Sequence, residues 1–289
     1  MLGSARETPA QGQVKLVPSM RNAFSFTADP NFPAELAKRG FARPTAAEQY
    51  QMARHDVGFA FIDELTKHGY AKPETSELVR AGQHGVRVTY VREMAALGYR
   101  LGSLAPLIEL RDHGVGPSYV RELADQGYKG LSADELRKAR DHGISPEYVR
   151  AMRDSGYGSL KMEQLINARD HGVGADYVRD MRQLGHSVPL DELIRARDHG
   201  VSVEFVREMA SLGYTKLPLD SLIRLRDHGV SPKYVQELKT LGYDDLSLDD
   251  LVTLRDHGLS ADRIRAANSR AGTRLPVDLL KSVAAGGLR

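Results

Sequence analysis

Histidine and aspartate stand side by side at regular intervals along this sequence, and an imidazole beside a carboxylate can serve either a metal site or acid–base catalysis. The run Arg-Asp-His-Gly occurs six times, with successive histidines 28 or 29 residues apart. Two looser copies, at His55 and His84, precede it at the same spacing. A fixed period of this length indicates tandem structural repeats. The six full copies are Arg111–Gly114, Arg140–Gly143, Arg169–Gly172, Arg197–Gly200, Arg226–Gly229 and Arg255–Gly258.

The spacing of these pairs argues against a metal site and against catalytic dyads. A zinc or iron site needs three or four donor atoms about 2 Å from one ion. Adjacent residues of a helix point about 100° apart, and equivalent residues of packed helices lie about 10 Å apart. We therefore expect no metal and no other cofactor, and predict that the motif ends helices at His113, Gly114, His142, Gly143, His171, Gly172, His199, Gly200, His228, Gly229, His257 and Gly258.

Other features of the sequence favour a protein without catalytic activity. It contains no Gly-x-Ser-x-Gly motif, no phosphate-binding loop, no dinucleotide-binding fingerprint and no cysteine. The paired carboxylates at Asp244-Asp245 and Asp249-Asp250 flank a predicted helix start, where negative charge is favourable for the backbone alone. The sequence therefore predicts no catalytic residues and no enzyme.

Composition and charge set limits on the environment of the chain. The formal net charge is +2, so no strong overall field draws the chain to nucleic acid or to an anionic membrane. No run of 18 apolar residues predicts a membrane-spanning helix. We expect a cytoplasmic protein if the chain is complete, whereas the compartment stays open if the chain is a fragment of a larger membrane protein.

The repeat Leu131–Tyr157 shows the first helix that each copy encodes. Ser132 followed by Glu135 is a capping box, in which each side chain accepts a hydrogen bond from the other residue's backbone N–H. The helix then continues to His142. Gly143 ends it, because glycine adopts the left-handed backbone conformation that other residues resist.

The second helix of the same repeat starts at once. Ser145 is the N-cap and Pro146 the first helical residue, where no N–H is needed. Gly156 ends this helix, and the aromatic Tyr157 follows. On this interpretation fifteen of the 27 glycines are helix ends. The glycine-aromatic stop recurs at Gly40-Phe41, Gly69-Tyr70, Gly98-Tyr99, Gly127-Tyr128, Gly213-Tyr214 and Gly242-Tyr243, while Gly185-His186, in the repeat that is one residue short, departs from it.

Helices of about ten residues are marginal when isolated, so neighbouring repeats must pack together. The predicted fold is all-α: a solenoid of about eight short helix-turn-helix repeats of 28–29 residues. Three phenylalanines near the start suggest a cap over the first repeat. The predicted organisation is a flexible lead over 1–22, an aromatic N-terminal cap and half repeat over 23–41, tandem repeats over 42–272, and a C-terminal capping helix and tail over 273–289.

The aspartate of the motif lies in the last turn of its helix, where the helix dipole repels it. Its recurrence indicates a fixed partner. We expect this partner to be the second-helix arginine eight residues after the histidine, and we expect the histidine ring to bind the last carbonyls of its own helix. These arginines are Arg121, Arg150, Arg179 and Arg207.

The run Leu107–Tyr128 resembles bacterial repeats with the wording Leu-x-x-Leu-Arg-Asp-His-Gly-Val-x-Pro-x-Tyr-Val-Arg-x-Leu-x-x-x-Gly-Tyr. Such repeats occur as tails beside membrane metallopeptidase domains of the β-lactam-sensor type, and they are similar to the tetratricopeptide and HEAT superclass. The resemblance implies a bacterial source and a protein-contact role. It carries over no catalytic residue, because this chain lacks the peptidase motif His-Glu-x-x-His.

The expected function is a scaffold that binds a protein or peptide. Two alternatives stay open: end-to-end self-assembly and, less favoured, nucleic-acid binding by a stripe of second-helix arginines. Against the latter, Glu122, Asp180 and Glu208 directly follow three of those arginines. The predicted partner-binding positions vary between repeats and each precede a histidine by four residues: Glu109, Lys138, Asn167, Arg195, Arg224 and Thr253.

Overall fold

The computed structural model describes residues 6–8, 12–16, 24–158 and 160–284, in two compact units divided between Val149 and Arg150. The first unit contains β1 (Arg6–Thr8), β2 (Gly12–Leu16), β3 (Phe24–Ala28), α1 (Phe32–Lys38), α2 (Ala46–Arg54), α3 (Phe59–Lys67), α4 (Thr75–Gln83), α5 (Val88–Ala96), α6 (Leu104–Asp112), α7 (Pro117–Asp125) and α8 (Ala133–Asp141). Helix α9 (Pro146–Asp154) spans the division. The second unit continues with α10 (Met162–Asp170), α11 (Ala175–Gln183), α12 (Leu190–Asp198), α13 (Val203–Ser211), α14 (Leu219–Asp227), α15 (Pro232–Thr240), α16 (Leu248–Asp256), α17 (Ala261–Ala271) and α18 (Val277–Ala284).

Helices of the same kind pack against each other in successive repeats. In the first unit, the first helices α2, α4, α6 and α8 pack in series, as do the second helices α3, α5 and α7. In the second unit, α12, α14, α16 and α18 form one series, and α11, α13, α15 and α17 form the other. Each unit is therefore a two-layered array of helix-turn-helix repeats, which confirms the predicted all-α solenoid fold.

The local signals in the sequence account for the helix boundaries. Ser132 and Glu135 form the predicted capping box, with the Ser132 N–H donating to the Glu135 carboxylate at 2.7 Å. After Gly143, which has a φ of 69°, the Ile144 N–H donates to the Ala139 carbonyl at 2.8 Å and closes the helix. All fifteen glycines predicted to end helices have a positive φ, between 67° and 103°.

The core of each array lies between its two helix layers. In the repeat Leu131–Tyr157, Leu136 and Ala139 of the first helix are 1% and 0% exposed. Ile144 in the turn and Tyr148 of the second helix are buried with them. Each helix contributes only a few apolar residues, so neighbouring repeats complete the core. The described helices have 7 to 11 residues, and none is long and apolar enough to cross a bilayer.

A small antiparallel sheet, with strand order β1-β2-β3, lies at the N-terminal end of the first unit. These strands are not predicted from the sequence, because segments of three to five residues are too short to show a clear alternation of apolar residues. Phe26 of β3 makes an edge contact with Tyr50, and the fully buried Phe32 packs on Phe59 with ring centres 4.8 Å apart. The rest of the predicted 1–22 lead lies outside the described residues.

Helix α18 packs on α16 at the C-terminal end of the second unit. Leu280 is fully buried there, and Lys281 forms an ion pair with Asp250 of α16. The single helix lies within the predicted 273–289 capping segment. The predicted tail lies outside the described residues.

Candidate functional site

The histidine of the Arg-Asp-His-Gly motif contacts the aspartate of the same motif in the next repeat. In the second unit, His199 Nδ1 lies 2.7 Å from Asp227 Oδ1, close enough for the imidazole to donate a hydrogen bond to the carboxylate. We call this series the His–Asp ladder. Its described members are His84–Asp112 and His113–Asp141 in the first unit, and His171–Asp198, His199–Asp227 and His228–Asp256 in the second.

The ladder corrects two predictions about the motif. The imidazoles of the described pairs bind carboxylates of the next repeat, not the last carbonyls of their own helices. In the described pairs the aspartates bind histidines and not the second-helix arginines. Arg121 pairs with Glu93, Arg207 with Asp180 at 3.0 Å, and Arg179 with Asp176 at 2.8 Å. Arg150 is likewise in no described ion pair with a motif aspartate. A histidine partner 27 or 28 residues earlier is nearer to each aspartate than the arginine that the sequence suggested.

The arginine of the motif packs against the preceding repeat. The Arg140 guanidinium carbon lies 5.0 Å from the centre of the Tyr119 ring, within the range of a cation–π contact. The same stacking recurs for Arg111 on Tyr90, Arg197 on Tyr177, Arg226 on Phe205 and Arg255 on Tyr234, at 5.1 to 5.4 Å.

The glycine of the motif allows this approach of the arginine. At Gly200, whose φ is +74°, a Cβ atom would lie 3.1 Å from a guanidinium nitrogen of Arg226. Arg255 Nε donates to the Gly229 carbonyl at 2.9 Å. The motif glycine therefore ends its own helix and also receives the arginine of the following repeat.

Buried tyrosines of the second helices add a further contact between repeats. The Tyr119 hydroxyl donates to the Ile144 carbonyl at 2.9 Å, and the Tyr177 hydroxyl to the Val201 carbonyl at 3.0 Å. Burial raises the pKa of both tyrosines to about 12, with the stacked arginine acting in the opposite direction. Tyr90 and Tyr234 make the same contact. These bonds were not predicted from the sequence, although the fixed position of the tyrosine in each repeat was a signal for them.

One carboxylate is buried between two second helices of the first unit. Glu64 of α3 accepts from Arg92 of α5 at 2.9 Å and also contacts His68 at 2.9 Å. The hydrogen bond from Arg92 is the main cause that lowers the pKa of Glu64 to about 2, against the opposing effect of burial. The contact with His68 lowers this pKa further. Glu64 is thus a charged group that links two repeats.

The predicted partner-binding residues lie on the first helices. The side chains of Glu109, Lys138, Asn167, Arg195 and Arg224 are exposed, and that of Thr253 is partly buried. Four of the six are in ion pairs, three of which join neighbouring repeats: Glu109 with Arg137 at 3.1 Å, Arg224 with Asp249 at 2.6 Å, Arg195 with Asp220, and Lys138 with Asp134 of its own helix at 2.8 Å.

Two clefts lie in the second unit. One, of about 370 Å³, lies beside Tyr243 and Arg274, and the other, of about 210 Å³, beside Tyr157 and His186. A third, of about 180 Å³, lies beside Glu109 and Arg137 in the first unit. Within the described residues, no group of three or more histidine, aspartate or glutamate side chains is arranged to hold a metal ion.

Comparisons with known proteins assign this chain to no family. No protein-family profile matches the chain, and a search of curated proteins finds no similar sequence. The resemblance to bacterial Arg-Asp-His-Gly repeats therefore stays a prediction.

Proposed function

We propose that this chain is a non-catalytic helical-repeat scaffold that binds a protein or peptide through the exposed surface of its first helices. The observation that supports this most is the difference between the recurring and the variable positions of each repeat. Residues that recur in the repeats make the same contacts with each neighbour along the chain, whereas the residue four positions before each histidine differs in type among the repeats and is exposed in five of six cases. Three of these variable residues, Glu109, Arg195 and Arg224, also pair with a neighbouring repeat, but with exposed side chains.

The recurring contacts hold the variable positions at a constant interval. The motif residues have the same roles in successive repeats. Arg226 and Asp227 contact a neighbouring repeat, and Gly229 ends a helix at the same position of the repeat. A series of different side chains on a constant backbone offers separate contacts to successive parts of an extended partner. Helical-repeat proteins commonly use such surfaces for binding.

The charge arrangement on the second helices supports a protein partner over a nucleic acid. A nucleic-acid surface requires basic side chains that are available to phosphates. Here Arg92, Arg121 and Arg207 are each paired with a carboxylate of the preceding repeat. The resemblance to bacterial repeats with a protein-contact role points in the same direction.

The test is affinity capture from a lysate of the source organism with three forms of the protein. The first is wild type. The second carries Lys138→Ala, Asn167→Ala and Thr253→Ala on the first helices. The third, a matched control, carries Lys233→Ala, Gln183→Ala and Thr240→Ala, which remove the same kinds of side chain from exposed positions on second helices.

We expect a partner that wild type and the second-helix control retain equally and that the first-helix variant fails to capture. Removing several interface side chains at once reduces affinity even where each contributes little. Equal failure of both variants to capture the partner would contradict binding through the first helices. Capture of nuclease-sensitive material that disappears at moderate salt would instead support the nucleic-acid alternative.

A further inference from the structure

The helix end at Gly185 differs from the others in two ways. A histidine follows this glycine where an aromatic residue follows the seven similar stops. The linker from His186 to helix α12 has three residues, whereas the linker from Tyr157 to α10 and that from Tyr214 to α14 each have four. The repeat that is one residue short is therefore short immediately after His186.

The ring of His186 makes no hydrogen bond to another residue in the described part of the chain, and its nitrogen atoms are not fully buried. His186 as a whole is 8% exposed. At the same position of other repeats, the hydroxyl of Tyr99 or Tyr214 donates to a linker carbonyl of the next repeat at 2.7 Å. An imidazole is shorter than a phenol and makes no such bond here. Burial lowers the pKa of His186, so the ring is neutral near pH 7 and offers one donor and one acceptor.

His186 lines the 210 Å³ cleft together with Arg182, Ser187 and Tyr157. Arg182 NH1 donates to the Ser155 carbonyl at 2.7 Å, but the guanidinium forms no ion pair with a carboxylate of the described residues. Glu192 is close enough to raise the pKa of Tyr157, yet it does not pair with Arg182. The cleft thus combines an uncompensated positive charge with an imidazole whose hydrogen-bonding capacity is unused.

We propose that this cleft binds one carboxylate group, presented by an aspartate or glutamate side chain of a partner polypeptide. Arg182 supplies the positive charge and its remaining N–H groups, and the His186 ring supplies a further N–H donor. The volume suits a single side chain, because sites for larger organic ligands occupy about 300–1,000 Å³. This proposal rests on the proposed scaffold function and gives one chemical requirement for its partner.

The site can be tested without the partner by titrating the full chain with sodium acetate at constant ionic strength, following by NMR the backbone amide resonances of residues 185–187, which remain observable in variants at position 186. Acetamide is the neutral control probe, and inorganic phosphate is a second anion. Arg182→Gln removes the charge. The matched control is Arg153→Gln, since Arg153 occupies the equivalent position of the preceding second helix and lies 3.6 Å from Asp154.

We expect a saturable shift with acetate and none with acetamide. Arg182→Gln should weaken acetate binding by about tenfold or more, because a charge-assisted hydrogen bond contributes about 1.5–3 kcal/mol, and Arg153→Gln should leave it unchanged. His186→Tyr restores the residue found in other repeats, and it should keep the thermal stability of wild type while abolishing acetate binding.

Three results would overturn the assignment: no saturable acetate shift, an equal response to acetamide, or equal weakening by Arg182→Gln and Arg153→Gln. A response to phosphate without one to acetate would also overturn it, in favour of a phosphate site. The acetate titration and the capture experiment on the first helices are independent tests. A partner that depends on the first helices, found although acetate does not bind, would reject the cleft and retain the scaffold.

Discussion

Tyr177 and His199, which lie in successive repeats, show how differently a side chain can contribute to the link between one repeat and the next. The Tyr177 hydroxyl is buried and bonded to a backbone carbonyl, whereas His199 and Asp227 are 41% and 45% exposed. Exposed ion pairs contribute about 0–1 kcal/mol, while a buried polar group that loses its partner costs about 1–3 kcal/mol. The buried tyrosine hydroxyls are therefore expected to contribute more to stability than the exposed His–Asp pairs of the ladder.

Tyr177→Phe should lower the free energy of unfolding by about 1–3 kcal/mol, because it leaves the buried Val201 carbonyl without its donor. Phe205 occupies the equivalent position of the next repeat, so the ring itself fits. Urea denaturation measures the change. Tyr50→Phe is the control, since Tyr50 is 41% exposed and its hydroxyl should contribute little. Equal stability of wild type and Tyr177→Phe would contradict this role of the hydroxyl.

At the scale of the helices, the sequence was sufficient wherever the signal was local. The capping box at Ser132, the proline at position 146 and the glycine stops depend on a few adjacent residues, and the structure has them as predicted. Which side chains pair between neighbouring repeats was not predictable in the same way. Asp141 can reach several basic groups once repeats pack, and periodicity alone does not say that His113 of the preceding repeat is the nearest.

Helices α3 and α5 are joined by the buried Glu64, and this link makes the first unit sensitive to acid. The pKa of Glu64 is lowered from 4.5 to about 2, so its contribution to stability is fully present above about pH 4.5 and is lost as the pH falls towards 2. Glu64→Gln should therefore be less stable than wild type at pH 7, and the difference should shrink between those two pH values.

Urea denaturation at a series of pH values measures this effect. Glu93→Gln is the matched control, because Glu93 occupies the equivalent position of α5, pairs with Arg121 and is 47% exposed. We expect a smaller loss of stability at pH 7 for the control. A constant difference between Glu64→Gln and wild type from pH 7 down to pH 2 would show that the carboxylate charge is not the stabilising feature.

At the scale of the whole chain, the same contacts recur in both units, and additional elements pack on the first and the last repeat. Phe26 of the sheet and Phe32 of α1 pack on the first repeat of the first unit, and α18 packs on the last repeat of the second. Terminal repeats of a solenoid need such cover, because they have a neighbour on one side only. The central claim is that the residues of Arg-Asp-His-Gly join each repeat to the next.

The most direct test of this claim is the tautomer of the ladder histidines, observed by ¹⁵N NMR in alkaline solution. The hydrogen bond to the next repeat requires a proton on Nδ1, because the bond that one ring nitrogen makes sets the tautomer. We predict the Nδ1–H form for His84, His113, His171, His199 and His228, and we predict that Asp227→Asn alters His199 while leaving His171 unchanged. Nε2–H tautomers throughout, with no response of His199 to Asp227→Asn, would contradict the account.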